Sequence, residues 1–170
     1  MESVVHPRRL FWILLAVAAV QAAYFYPQLP AEVVSRFGPE GEALQTMTKS
    51  GFTLLHLGII AVIAALFGGV PLEHVPDAFI HIPRKKFWLD AERREESVRV
   101  LQDEIFVICN ATLLLLTVIF HWVLQANLLE TPHLDPSFTW VPFGLYIAYT
   151  MVWTLRLLRR FQTPNGAKAV

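Results

Sequence analysis

The chain contains four long runs of apolar residues that carry no Lys, Arg, Asp or Glu. A helix needs about 20 apolar residues to cross about 30 Å of hydrocarbon, and each run approaches or exceeds that length. We therefore predict an all-α fold, a four-helix transmembrane bundle that forms one integral membrane domain over residues 1–170. The predicted spans cover about residues 10–28, 52–72, 104–128 and 138–157.

The composition excludes two other classes of protein. Charged residues make up 16% of the chain, against about 25% in soluble domains. The net charge is zero, which excludes a protein that binds nucleic acid through bulk positive charge. So low a charge also excludes a charge-rich disordered chain. The single cysteine, Cys109, cannot form a disulfide within the chain.

The basic residues are distributed unevenly between the two sides of the predicted membrane. All but two of the 14 Lys and Arg residues lie in the N-terminal segment, in the loop after the second span, or in the C-terminal segment. Only Arg36 and Lys49 lie on the other side. Because Lys and Arg are retained in the cytoplasm, we predict a multi-pass protein of the cytoplasmic membrane with both termini inside.

The first apolar run has an alternative interpretation. Arg8 and Arg9 precede it, and Val20-Gln21-Ala22 resembles a signal-peptidase site, so this segment could be a cleaved signal peptide. The retained span is the interpretation that the four-span topology requires.

Two connecting segments carry helix signals of their own. In the outer loop, residues 30–38 begin with a proline and end with a glycine, which predicts a short surface helix. In the cytoplasmic loop, Asp90 is a good N-cap, and nothing interrupts a helix from there to Asn127. About 37 residues would measure roughly 55 Å, so the third helix should protrude into the cytoplasm.

A basic and aromatic cluster precedes that helix. Arg84, Lys85 and Lys86 are followed directly by Phe87 and Trp88. Such a cluster favours binding to anionic lipid head groups at the membrane surface, and docking of a cytoplasmic protein is the alternative.

Two stretches of the chain are similar to a bacterial membrane family. Tyr26–Phe52 resembles the "LP, HF, G, K, F" loop of domain of unknown function 1648, which begins SdpI-like immunity proteins. Ile82–Arg94 resembles the family's "NIPNK-YWL-PERR" run, and Ala126-Asn127 resembles the "AN" that closes its third span. The resemblance implies a four-span protein of the bacterial inner membrane with no established enzymatic role.

The chain departs from the family pattern at five positions. Arg36 replaces a His, Gly38 an Asn, His81 an Asn, Arg84 an Asn, and Phe87 a Tyr. The SdpI-like second half is also not evident. A role that depends on those side chains in the family therefore does not carry over directly.

Two histidines lie inside predicted spans. His56 and His121 lie roughly 6 and 9 Å below the outer surface if their helices are regular. Intramembrane imidazoles are candidate metal ligands, and a third ligand would have to come from His133 or Glu130. The alternative is that each histidine makes hydrogen bonds within the bundle or faces interfacial water. The chain contains no motif for a phosphate-binding loop, a paired-cysteine metal site or a cofactor.

We therefore expect a non-enzymatic, SdpI-like membrane protein that binds or senses a ligand or partner. The candidate residues for that role are Arg36, Lys49, Arg84, Lys85, Lys86 and Trp88. Its expected partners are the lipid bilayer and another membrane protein or complex. The alternatives are an accessory subunit of a larger membrane complex, and a small transporter or metal-dependent membrane enzyme that uses His56 and His121.

Overall fold

Four long helices make up most of the protein in the computed structural model, which describes residues 6–68 and 71–162. Each is long and apolar enough to cross a membrane, which confirms the predicted number of spans and a multi-pass membrane protein. The predicted second span includes residues 69 and 70, which lie outside the described residues, as do the chain ends at 1–5 and 163–170. The helices are α1 (Pro7–Phe25), α2 (Lys49–Gly68), α4 (Arg94–Ala126) and α5 (Ser137–Gln162).

The loop between α1 and α2 forms a β-hairpin, so the short helix predicted over residues 30–38 is wrong, and the fold is not purely α-helical. Strand β1 (Glu32–Phe37) pairs antiparallel with β2 (Ala43–Thr48). The adjacent β-branched residues Val33 and Val34 are both buried in β1. Strands favour such residues, and here tertiary contacts outweigh the local proline and glycine signals.

The segment between α2 and α4 is built from short elements. Two 3₁₀ turns, Leu72–His74 and Asp77–Phe79, precede the one-turn helix α3 (Lys85–Trp88). Asp90 accepts a hydrogen bond from the Ala91 amide at 2.9 Å in the following turn. The long helix therefore begins at Arg94, four residues after the predicted cap.

Helix α4 has 33 residues and is the longest element of the fold. At 1.5 Å per residue it measures about 50 Å, which exceeds the thickness of the hydrocarbon layer. Its first eleven residues carry most of its charged side chains. The length agrees with the prediction of a protruding third helix, whose direction through the membrane remains a prediction.

The core lies where α1, α2 and α4 meet. One buried cluster contains Phe11, Leu14 and Ala18 of α1 with Ile60 and Leu113. The three α1 residues are three and four positions apart, which places them on one face of the helix. A second cluster, around Phe25, Phe52 and Leu124, closes the core beneath the hairpin.

Helix α5 packs against α4 and contributes little to the core. The Tyr146 hydroxyl lies 2.8 Å from Thr112 Oγ1, and the Trp153 indole donates to Glu104 at 2.8 Å. These pairs show that α5 runs antiparallel to α4. No residue in the most apolar 18-residue window of α5 is buried. The protein is therefore a three-helix bundle with a fourth helix on one side.

The two ends of the bundle are chemically different. At one end lies the hairpin with the α4–α5 loop, and we call this the hairpin end (residues 26–48 and 127–136). At the other end, residues 71–93 pack against the first turns of α4 and against Phe161 of α5. Arg94 fixes this segment by an ion pair with Asp77 at 2.9 Å and a hydrogen bond to the Val75 carbonyl. We call this the basic end.

Candidate functional site

The hairpin is attached to the end of α4 by one side chain. Asn127 is 3% exposed and follows the last residue of the helix. Its Oδ1 accepts the Val34 amide at 2.6 Å, and its Nδ2 donates to the Val34 carbonyl at 3.0 Å. The same Nδ2 donates to the Val123 carbonyl at 2.9 Å. Because one side chain satisfies backbone groups of both elements, β1 is fixed relative to α4.

The hairpin turn makes a second attachment, to the α4–α5 loop. Gly41 has a φ of +87°, a region that favours glycine. Its carbonyl accepts the Leu134 amide at 3.0 Å. A side chain at position 41 would collide with the Leu134 carbonyl and the His133 ring. The turn therefore needs glycine both for its conformation and for this close approach.

Two irregularities in the strand pairing lie beside Arg36. Arg36 pairs with Gln45, and the register shifts on both sides of this pair, so Ser35 and Leu44 have no direct partner across the ladder. Bulges of this kind redirect side chains and occur next to functional sites. Arg36 is exposed, and Leu44 is 54% exposed. We name the exposed side chains of Arg36, Leu44 and Gln45 the hairpin surface.

Strand β2 has an exposed, uncharged edge. Its sequence, Ala43–Thr48, contains no charged residue and no proline, and five of its six residues are exposed. Edge strands normally carry charged residues or proline, which prevent pairing with other chains. This edge is therefore open to an added strand, a recurrent mode of peptide recognition.

Lys49 does not lie with Arg36 at the hairpin surface. It begins α2, and its amide donates to the Ala31 carbonyl at 3.0 Å, which closes the base of the hairpin. Its ammonium lies 4.9 Å from the centre of the Tyr26 ring, a cation–π contact. The structure therefore gives Lys49 a structural position beside the hairpin.

The two intramembrane histidines have separate ring partners. His56 is 1% exposed and stacks on Phe120 with ring centres 3.9 Å apart. His121 contacts Phe25 edge to face at 5.5 Å. Over the ranges 6–68 and 71–162, no three His, Cys, Asp or Glu side chains come together in a group that could hold a metal ion. A third ligand for the proposed metal site is thus not provided by the described residues.

Polar side chains within the spans connect α1 to α4. Gln21 Nε2 donates to the Thr117 carbonyl at 3.1 Å, and Asn110 Nδ2 donates to the Pro7 carbonyl at 2.8 Å. The other polar atoms of these amides, Gln21 Oε1 and Asn110 Oδ1, are buried without a hydrogen-bond partner among the described residues, as is His56 Nε2. Gln21 and Asn110 therefore join the helices and still leave acceptors unused.

The candidate residues of the basic end form a different surface. Arg84 adopts a left-handed conformation with φ 53° and ψ 38°, and Lys85 and Lys86 begin α3. The Trp88 indole donates to the Phe161 carbonyl at 2.7 Å, and the two rings meet edge to face. Trp88 thus connects the loop to the end of α5, in addition to any contact with lipid.

Sequence reasoning missed two features of the hairpin end. It did not select Leu44, because an isolated leucine in a polar loop carries no distinctive signal. It noted Asn127 only as part of the Ala126-Asn127 pair and as a helix end. The one available signal was a polar residue directly after a long apolar run, which must find hydrogen-bond partners when buried.

Four positions from the stretches that resemble the family are buried at this end. Leu29, Gly41, Phe52 and Asn127 all lie at the junction between the hairpin and the bundle. No protein-family model matches the chain, and neither does any curated protein or solved structure.

Proposed function

We propose that this chain is a non-enzymatic, SdpI-like membrane protein that binds a ligand or partner at its hairpin surface. The observation that carries the proposal is the exposure of both Arg36 and Leu44, at the register shifts of a hairpin that is fixed to the bundle at two points. Binding residues are often presented by loops on a rigid scaffold, and the hairpin meets that description.

The chemistry of the hairpin surface favours an extended peptide segment with an acidic group. The open edge of β2 offers backbone hydrogen bonds to an added strand. Leu44 offers apolar contact, and the Arg36 guanidinium offers a paired hydrogen bond to a carboxylate. Together these groups would recognise a short extended segment of a protein partner.

The proposed setting is the bacterial cytoplasmic membrane, with the hairpin end outside and both termini inside. The support is the concentration of Lys and Arg in the segments that flank the basic end. In this orientation the hairpin surface faces molecules outside the cytoplasm, and Lys85 and Lys86 face anionic lipid head groups.

A second candidate function is that of an accessory subunit in a larger membrane complex. The observation that favours it is the position of α5, whose most apolar window contains no buried residue. A helix packed on only one neighbour keeps most of its surface available for another transmembrane helix. In this case the partner would contact α5, and the hairpin surface would be secondary.

Co-elution experiments distinguish these possibilities. Tagged full-length protein is extracted in a mild detergent, and the proteins that co-elute are identified for wild type, Arg36→Ala and Leu44→Ser. We expect a partner that is lost in both variants and retained in Arg84→Ala, a matched change at the basic end. A partner retained in both hairpin variants would contradict binding at the hairpin surface and would favour binding at α5.

A further inference from the structure

A pocket opens at the basic end, between the start of α1, the segment that follows α2 and the first turns of α4. Its volume is about 680 Å³, within the range of about 300–1,000 Å³ that is usual for small-molecule sites. Leu72, Val98 and Phe106 are among its apolar lining residues. Its charged lining residues are Arg8, Glu73, Arg94, Glu95 and Arg99. We call this the basic-end pocket.

Two of the three arginines in the basic-end pocket have no acidic partner. Arg94 is already held by its ion pair at 2.9 Å. Arg99 makes no ion pair or hydrogen bond in the part of the chain that the structure describes, although Glu95 lies one turn before it in α4. The Arg8 guanidinium carbon lies 5.5 Å from the centre of the Phe106 ring, a cation–π contact. Both guanidiniums therefore keep N–H donors for an anion.

A buried amide lies between these two arginines. Gln102 is 7% exposed, and its Oε1 accepts the Leu72 amide at 2.8 Å, which leaves Nε2 as its donor. Arg99, Gln102 and Phe106 are three and four positions apart, so they lie on one face of α4. Because Arg8 lies over Phe106, it is held one turn after Gln102, and Arg99 is one turn before it. Donors from three side chains can thus reach one position in the pocket.

This position lies at the boundary between the charged and the apolar parts of two helices. In α1, Arg8 comes two residues before the apolar run that begins at Leu10. In α4, Gln102 comes two residues before Glu104, the last Lys, Arg, Asp or Glu of that helix. Lipid phosphates lie at the boundary between water and the hydrocarbon layer. The three donors are therefore at the depth of a phosphate group.

We propose that the basic-end pocket binds a single phosphate ester group, which accepts hydrogen bonds from Arg8, Arg99 and Gln102. Guanidinium groups bind phosphate oxygens in pairs, which a single ammonium does not. The carboxylates of Glu73 and Glu95 line the same pocket and are exposed, so they repel a ligand with several phosphates. A lipid head group and a soluble phosphate ester both present this chemistry. The site is at the opposite end of the bundle from the hairpin surface and does not depend on binding there.

Native mass spectrometry of the full-length protein in dodecyl maltoside, a detergent without phosphate, tests the proposal. The probes are dioleoyl phosphatidylglycerol and dioleoylglycerol, which has the same acyl chains and no phosphate. We expect phosphatidylglycerol to bind at least about tenfold more tightly, which corresponds to about 1.4 kcal/mol. Equal binding of the two lipids would overturn the proposal.

A third probe identifies the source of the phosphate. Glycerophosphoglycerol is the head group of phosphatidylglycerol without its acyl chains. If it binds alone and displaces phosphatidylglycerol, the pocket takes soluble phosphate esters. If it does neither, while phosphatidylglycerol still binds better than dioleoylglycerol, the ligand is a membrane lipid.

Arginine variants separate the pocket from the other basic surfaces of the protein. Arg8→Gln and Arg99→Gln should each weaken phosphatidylglycerol binding about tenfold, because each removes a charge-assisted pair of hydrogen bonds. Arg9→Gln is the matched control, since Arg9 is the exposed neighbour of Arg8 and does not line the pocket. It should leave binding unchanged, and equal losses in Arg8→Gln and Arg9→Gln would contradict the site.

Gln102→Glu tests the central position. The carboxylate keeps an acceptor for the Leu72 amide and replaces the Nε2 donor by a second negatively charged oxygen. We expect the preference for phosphatidylglycerol over dioleoylglycerol to be lost while the thermal unfolding midpoint is retained. A folded Gln102→Glu variant that keeps this preference would overturn the proposal. If this variant does not fold, the two arginine variants, at exposed positions, decide the question.

Discussion

The side-chain amide of Asn127 bonds both backbone groups of Val34, 93 positions away in the chain. It occupies the free edge of β1 much as a neighbouring strand would. The two backbone groups of Val34 on that edge are thereby satisfied, while the edge of β2 on the other side of the hairpin stays open. The relationship explains how a two-stranded hairpin, which is marginally stable alone, can be a fixed part of this protein.

Replacing Asn127 should loosen the hairpin. Asn127→Ala removes the partners of the Val34 amide and carbonyl, and an unsatisfied buried group costs about 1–3 kcal/mol. We expect a lower thermal unfolding midpoint in detergent and faster hydrogen exchange at the Val34 amide. Asn127→Asp keeps the acceptor but places a carboxylate oxygen about 3 Å from the Val34 and Val123 carbonyl oxygens, so it should destabilise the protein at least as much as alanine. Gln125→Ala, at an exposed position two residues earlier, is the control and should behave like wild type. Unchanged hydrogen exchange at the Val34 amide in Asn127→Ala would argue against the attachment of the hairpin by Asn127.

The hairpin turn should not tolerate a side chain. Gly41→Ala introduces a Cβ at a left-handed position and against the Leu134 carbonyl, so we expect clear destabilisation of at least about 1 kcal/mol. Gly58→Ala is the control, because Gly58 lies in α2 with open space around it. Helical glycine is less favourable than alanine, so this variant should be as stable as wild type or more stable. Thermal unfolding of both variants in the same detergent makes the comparison, and equal midpoints would contradict it.

The four helices could be predicted because each corresponds to one continuous run of apolar residues in the sequence. The hairpin could not be predicted, because the residues that fix it to the bundle lie far from it in the sequence. Pro30 and Gly38 are local helix signals, whereas the bonds that fix β1 come from Asn127 and the bond that fixes the turn comes from Leu134. Periodicity within nine residues contains no information about partners so far along the chain.

The candidate site residues also divide into features that a local sequence pattern reveals and features that depend on distant contacts. Arg36 was selected because it is one of two basic residues on its side of the predicted membrane, whereas the register shifts on either side of it depend on strand pairing that the local sequence does not reveal. His56 and His121 were paired by depth alone. The ring contacts of these histidines, with Phe120 and with Phe25, depend on the rotation of each helix, which packing sets and depth does not.

Arg84 should be replaceable with a gain in stability. It holds a left-handed conformation, which costs an L-residue about 1–2 kcal/mol and which asparagine and glycine adopt more readily. We therefore expect Arg84→Asn to raise the unfolding midpoint by the equivalent of about 1 kcal/mol. Lys86→Asn, in the regular turn of α3, should give no gain. A loss of stability in Arg84→Asn would show that the guanidinium makes a compensating contact.

The orientation of the protein can be measured by cysteine labelling. In intact cells an impermeant maleimide should label a cysteine at Gln45, at the hairpin end, and should not label one at Lys86 until the membrane is permeabilised. The unmodified chain is the control, because the native Cys109 is fully buried. Labelling of position 86 but not of position 45 in intact cells would reverse the orientation.

The most direct test of the binding role is photocrosslinking from the hairpin surface in the native membrane. A photoreactive phenylalanine derivative at Leu44 should give a discrete protein adduct. The same group at Leu54, which is exposed on α2, should give none. The adduct from position 44 should disappear with Arg36→Ala and persist with Arg84→Ala. An adduct that survives Arg36→Ala, or the absence of any discrete adduct at position 44, would contradict binding at the hairpin surface.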